Sequence, residues 1–126
     1  DEIASVMRTS PQKLSLHEMY AVAQSLETGS DEYREVFEVA VRMYPDDPAA
    51  NLNAANIALG RNELDRAAGY LTKAGDTPEA AYARGILAAK SGDYDRAARA
   101  FGDAATRGMK QAADAAAMLR ESGLAK

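Results

Sequence analysis

Apolar positions recur with helical spacing along most of the chain. Tyr33, Val36, Phe37, Ala40, Val41 and Tyr44 form the most apolar stripe, and Pro45 ends it. Leu64, Ala67, Ala68, Leu71 and Ala74 follow an i, i+3, i+4, i+7 rule, and Tyr94, Ala97, Ala98, Phe101 and Ala104 repeat it. The punctuation agrees with the stripes. Ser15 and Glu18 make a capping-box pattern that opens a helix of about residues 15–27, and Gly29-Ser30-Asp31 turns the chain. Asp47 and Pro48 start a helix over 48–59. Gly60 is expected to close it in the left-handed conformation. Asn62 is expected to cap the next helix, which Gly75 stops. Thr77-Pro78 opens another helix, Ser91-Gly92-Asp93 turns the chain, and Gly108 stops the helix after that. A last helix, about 109–122, has an Ala-rich face and a polar face carrying Lys110, Gln111, Asp114, Arg120 and Glu121. A short helix is expected over 2–8. No segment reads as a strand.

The second half of this pattern is an internal repeat. A shift of 30 residues lays Pro48 on Pro78, Ala50 on Ala80, Ala58 on Ala88, Asp65-Arg66-Ala67-Ala68 on Asp95-Arg96-Ala97-Ala98, and Ala74 on Ala104. That is 8 identities in a 28-residue window. Five of the eight are alanine, so the proline and the Asp-Arg pair carry the case. Leu64/Tyr94 and Leu71/Phe101 match in character.

Each unit is a helix pair with a small residue inside its first helix, Ala55 or Gly85. A turn follows, Asn62-Glu63-Leu64 or Gly92-Asp93-Tyr94, and then the series Ala67, Leu71, Ala74 or Ala97, Phe101, Ala104. With Pro45 at the junction Met43-Tyr44-Pro45-Asp46-Asp47-Pro48, these residues resemble the tetratricopeptide repeat (TPR) family over roughly 15–122. The resemblance implies an all-α fold, a right-handed α-solenoid of about three TPR-like helix pairs plus a C-terminal capping helix. The units are about 15–45, 48–75 and 78–105, with the cap at 109–122. Residues 1–14 would be a linker or the tail of a preceding domain. The family period of ~34 residues holds from Ala40 to Ala74 and then shortens to 30, so the second helix of the middle unit should end about a turn early. Ala54, Arg84, Ala58 and Ala88 stand where the family usually has larger or more apolar residues. Each missing Leu forgoes ~1.5–3 kcal/mol of burial, which predicts a tight, thin array. Residues 43–105 also look like the C-terminal TPR-like modules of larger bacterial cell-envelope proteins, which implies a periplasmic or envelope location.

Composition narrows the chemistry. Of 28 alanines, 24 follow Pro48; cysteine is absent and His17 is the one histidine. Thiolate sites, disulfides and multi-imidazole metal sites are therefore excluded, and no cofactor is implied. Net charge is −4, with 15 Lys and Arg among 19 acids, which argues against a nucleic-acid footprint. No apolar run approaches the ~18–20 residues of a membrane span. The chain begins at Asp1 without an initiator Met or a signal-like segment, and it is read as a piece of a larger protein.

What remains is binding. In TPR-like arrays the first helix of each pair lines a concave face across which peptides lie. That arrangement implies partner contacts from Leu52, Asn53, Asn56 and Leu59 in one unit and Tyr82, Ile86 and Lys90 in the next. Asn51, Asn53 and Asn56 are poor helix-interior residues. Amides there either pair with a peptide backbone, bridge helices or sit in solvent. The position one turn before Asn56 is Leu52 rather than Lys, which argues against a carboxylate clamp. His17 and the Asp46-Asp47 pair read as surface, loop and capping residues. Arg84, in a slot implied to be buried, calls for a carboxylate partner or must snorkel to the surface. Met7, Met19, Met43, Met109 and Met118 read as core filler. The expectation is a non-catalytic module for a protein or peptide partner; the alternative is a structural spacer.

Overall fold

A computed structural model describes residues 15–125, and every described element is helical. The expected short helix at 2–8, the linker over 1–14 and the role of Met7 lie outside the described residues. In chain order the helices are α1 (Leu16–Gln24), α2 (Asp31–Met43), α3 (Pro48–Gly60), α4 (Leu64–Leu71), α5 (Pro78–Lys90), α6 (Tyr94–Thr106) and α7 (Lys110–Glu121). Each packs on its sequence neighbours, and α3 also packs on α5. Among the described residues no helix is long and apolar enough to cross a membrane.

Helix starts follow local chemistry. Ser15 Oγ accepts from Glu18 N at 3.2 Å while Glu18 Oε1 accepts from Ser15 N at 3.0 Å, a complete capping box. Asp47 Oδ2 accepts from Ala50 N at 2.8 Å, with Pro48 in the first turn behind it. Thr77 Oγ1 does the same for Ala80 N at 3.1 Å.

Three turns share one closure. Glu63 N donates to Ala58 O, Asp93 N to Ala88 O and Met109 N to Ala104 O, at 2.8, 2.9 and 3.1 Å. In each, the residue just before the donor is left-handed: Asn62 (φ 61°), Gly92 (φ 84°) or Gly108 (φ 106°). Gly60 is thus the last residue of α3 rather than its left-handed stop. Asn62 takes that conformation, which asparagine tolerates, and caps nothing. Glu63 occupies the N-cap of α4 without a side-chain cap bond.

The helix expected to run to Gly75 stops about a turn sooner. α4 ends at Leu71, and the chain runs to the left-handed Gly75 (φ 82°). Arg84 from α5 finishes it: Nη2 donates to Leu71 O and to Gly75 O, both at 2.9 Å. The two expectations for Arg84 are a carboxylate partner or a snorkelling side chain, and among the described residues it makes no ion pair. It is half-buried and takes carbonyls left open by the helix end instead.

The core has three parts, in order along the chain. Met19, Val22, Val36, Phe37, Ala40, Ala50 and Ala54 join α1, α2 and α3. Ala55, Leu59, Ala67, Leu71, Ala80 and Ala83 join α3, α4 and α5. Ala81, Ala97, Phe101, Ala104, Ala112, Ala116 and Leu119 join α5, α6 and α7. Tyr70 and Ile86 each border two parts. Of the 27 buried apolar residues in the described chain, 18 are alanine, so backbones approach closely and little apolar volume separates them. Gly85 carries this furthest. A Cβ there would lie 2.5 Å from Cδ1 and Cε1 of Phe101. The methionines divide: Met19 is fully buried, Met43 and Met109 are half-buried, and Met118 is 62% exposed, so it fills no core.

Candidate functional site

The residues singled out for binding come from α3 and α5, which pack together. α3 buries Ala50, Ala54, Ala55, Ala58 and Leu59. Leu52, Asn56 and Leu59 share one side of it by helical spacing, as Tyr82, Ile86 and Lys90 do on α5. The structure gives these seven residues different surroundings. Asn56 and Lys90 are exposed. Leu52 and Asn53 are half-buried, Leu52 against the central part of the core. Ile86 is half-buried between the central and C-terminal parts. Tyr82 is half-buried, with its ring centroid 5.3 Å from that of Phe101. Leu59 is 3% exposed and belongs to the core. It can meet a partner only if α3 repacks.

The three asparagines separate in the same way. Asn51 is buried, and its Nδ2 donates to Pro45 O at 3.0 Å and to Asp47 O at 2.9 Å. It ties the α2–α3 junction to the start of α3, which explains a polar residue at a core position. Asn56 faces water. Asn53 opens onto a pocket of about 360 Å³ between α1, α2 and α3, lined also by Tyr20, Gln24, Leu26, Thr28, Tyr33 and Phe37.

Aromatic rings form one wall of this pocket. Tyr20 and Tyr33 lie 5.6 and 5.0 Å from Phe37 by ring centroid. The Tyr20 hydroxyl is buried with no hydrogen-bond partner among the described residues. Burial pushes its pKa above the ordinary phenol value; the neighbouring Asn53 amide opposes that, and the Asp47 carboxylate adds to it. The hydroxyl makes no hydrogen bond to Asn53, and among the described residues it stays an unused donor. Tyr20, Gln24, Thr28 and Tyr33 were not anticipated. Tyr33 belonged to a stripe read wholly as core. The usable signal was chemical: a tyrosine on a buried stripe must place its hydroxyl somewhere.

Other candidates resolve into structural roles. His17 is exposed in the first turn of α1. Asp46 lies 3.6 Å from Lys73 Nζ, and Asp47 caps α3. Among the described residues, no group of three or more His, Cys, Asp and Glu side chains is placed to hold a metal ion. Comparison with known proteins supplies no relative: no family model, no curated protein and no solved structure matches the chain.

Proposed function

We propose that the chain is a non-catalytic interaction module. In this reading its helix pairs stack as a right-handed TPR-like solenoid closed by α7, and a peptide or partner surface lies across the side made by α1, α3 and α5. The contacts between consecutive helices and between α3 and α5 support the stacking. The observation that carries the binding reading is the buried, unpaired Tyr20 hydroxyl beside Asn53 at the pocket between α1 and α3. An unsatisfied buried donor costs ~1–3 kcal/mol. A peptide carbonyl recovers that loss once the Tyr20 hydroxyl, closed to solvent in this structure, turns toward the pocket, and the Asn53 amide offers the next donor and acceptor along an extended backbone. Asn56 and Lys90 then provide polar contacts further along.

Screening a random peptide library against wild type, Asn53→Ala and Asn56→Ala tests this. Selected peptides should bind wild type and lose at least tenfold in affinity on Asn53→Ala. Peptides that bind all three proteins alike refute the site, and a screen that returns no binder favours the spacer reading. That second reading has its own support. Leu59 and much of Tyr82 are covered within the chain, while Met118 and Leu124 are 62% and 51% exposed at the α7 end. A spacer would use that end to pack against a neighbouring domain.

A further inference from the structure

Two grooves on this molecule are built from equivalent parts, and only one of them is filled. The first lies between α2, α3 and α4 and retains about 10 Å³ of open space. The second lies between α4, α5 and α6 and holds about 650 Å³. The first takes six lining residues from α3, the turn after it and α4: Ala54, Ile57, Ala58, Glu63, Arg66 and Tyr70. Thirty positions on, Arg84, Leu87, Ala88, Asp93, Arg96 and Ala100 all line the second. The repeat therefore builds the same wall twice.

The opposite wall differs. In the first groove α2 supplies Arg34 and Glu38. Arg34 reaches Glu63 at 3.2 Å, Arg66 reaches Glu38 at 3.4 Å, and Arg34 and Glu38 meet at 2.8 Å. Phe37 and Tyr70 line the same space. In the second groove α4 supplies Leu64, Asp65 and Ala68. Among the described residues, the α4 wall offers one carboxylate, Asp65, and no counterpart of the Arg34–Glu38 pair opposite Arg96 and Asp93. Arg96 turns to Asp93 at its own helix start, 3.8 Å away, and its side chain stays 74% exposed. Ala100 stands where Tyr70 stood, and α4 is 8 residues long against 13 for α2. Ala68, though on the apolar stripe, is exposed in this groove. Arg99 adds a second guanidinium to the lining.

We propose that the α4–α6 groove is a docking slot for a helical segment of a partner protein that carries an acidic residue beside a large apolar one. The acid takes the place of Glu38 against Arg96 and Arg99. The apolar side chain takes the space that Phe37 and Tyr70 fill in the first groove, over Ala68, Leu87 and Ala100. This surface is separate from the Tyr20–Asn53 pocket and stands or falls independently of it.

The test uses the whole chain and a fluorescein-labelled, N-acetylated peptide with the α2 sequence, Asp31–Met43, which has the required chemistry. Its twin carries E38K. Wild type should bind the first peptide and bind the twin at least tenfold more weakly. Arg96→Glu should reverse that order, and Ala100→Tyr, which refills the slot as Tyr70 does, should abolish both. Amide shifts in wild type should centre on Ala68, Leu87 and Ala100. Should Ala100→Tyr fail to fold, the charge swap at the exposed Arg96 decides alone. No binding by folded wild type at millimolar peptide overturns the proposal, as does binding that ignores the charge swap or shifts that map to the α2 seat. A dimer that sedimentation shows to depend on this groove also overturns it, because the occupant is then a second copy.

Discussion

Gly85→Ala sets two opposing effects against each other at one position. In an ordinary helix interior the change stabilises by ~1 kcal/mol. Here the added methyl meets two Phe101 ring carbons at 2.5 Å and a third at 3.0 Å. Phe101 is 5% exposed and packed on Tyr82, so its ring cannot swing clear. Overpacking of this kind costs ~1–3 kcal/mol, and the clash should win by ~1 kcal/mol. The preceding unit shows the remedy, because Ala55 and Leu71 occupy the equivalent positions, both buried. Phe101→Leu alone should cost ~1 kcal/mol through lost burial. The double variant reproduces the Ala55–Leu71 pairing and should be more stable than the sum of the singles by ~1 kcal/mol or more. Urea melts followed by circular dichroism measure all four proteins, with a constant m-value as the check on comparable unfolding. The reasoning fails if Gly85→Ala raises stability by the helix-propensity amount, or if the two changes add within ~0.5 kcal/mol.

Three further outcomes follow from particular contacts. Ala98→Leu should cost ~1–3 kcal/mol because Ala98 is 3% exposed, whereas Ala68→Leu at the equivalent exposed position should stay within ~0.5 kcal/mol of wild type; denaturant midpoints compare them directly. Arg84→Met removes the donor to Leu71 O and Gly75 O and should cost ~1–3 kcal/mol, with amide exchange accelerating first over 68–75. The Asp31 carboxyl is held below its usual range by its hydrogen bond and charge contact with Arg61, and that of Glu18 by its bonds to Ser15. Both groups therefore bind protons more readily in the unfolded chain. Their contribution is complete above about pH 5 and disappears as the pH falls through the carboxylate range. Asp31→Asn should lower the plateau of the melting-temperature profile above about pH 5 and flatten the acid limb, so that the variant and wild-type curves converge in acid; curves that stay parallel down to about pH 3 would refute the assignment.

The sequence by itself determined the seven described helices to within a turn or so, the caps at Ser15, Asp47 and Thr77, and the repeated pattern, but not the Asn62 cap or the end of α4. These rest on interactions spanning five residues or fewer: the capping bonds of Ser15, Asp47 and Thr77, the prolines at 48 and 78, and the glycine turn at 92. Even the left-handed turn at 60–62 was legible in kind, with the residue displaced from Gly60 to Asn62. Exposure was another matter. Ala68 and Ala98 occupy the same place in the repeat, yet one lines an open groove and the other is covered. Asn51, Asn53 and Asn56 look alike in a helical stripe, but only Asn51 finds two carbonyls and only Asn53 meets a buried hydroxyl. Leu59 belongs to the core for the same kind of reason. What a side chain faces is decided by the length and position of a helix dozens of residues away. Here α7 adds Ala112, Ala116 and Leu119 to the part of the core that holds Ala98, Tyr20 on α1 lines the same pocket as Asn53, and α4 and α5 complete the part that buries Leu59, and local periodicity carries no record of these neighbours.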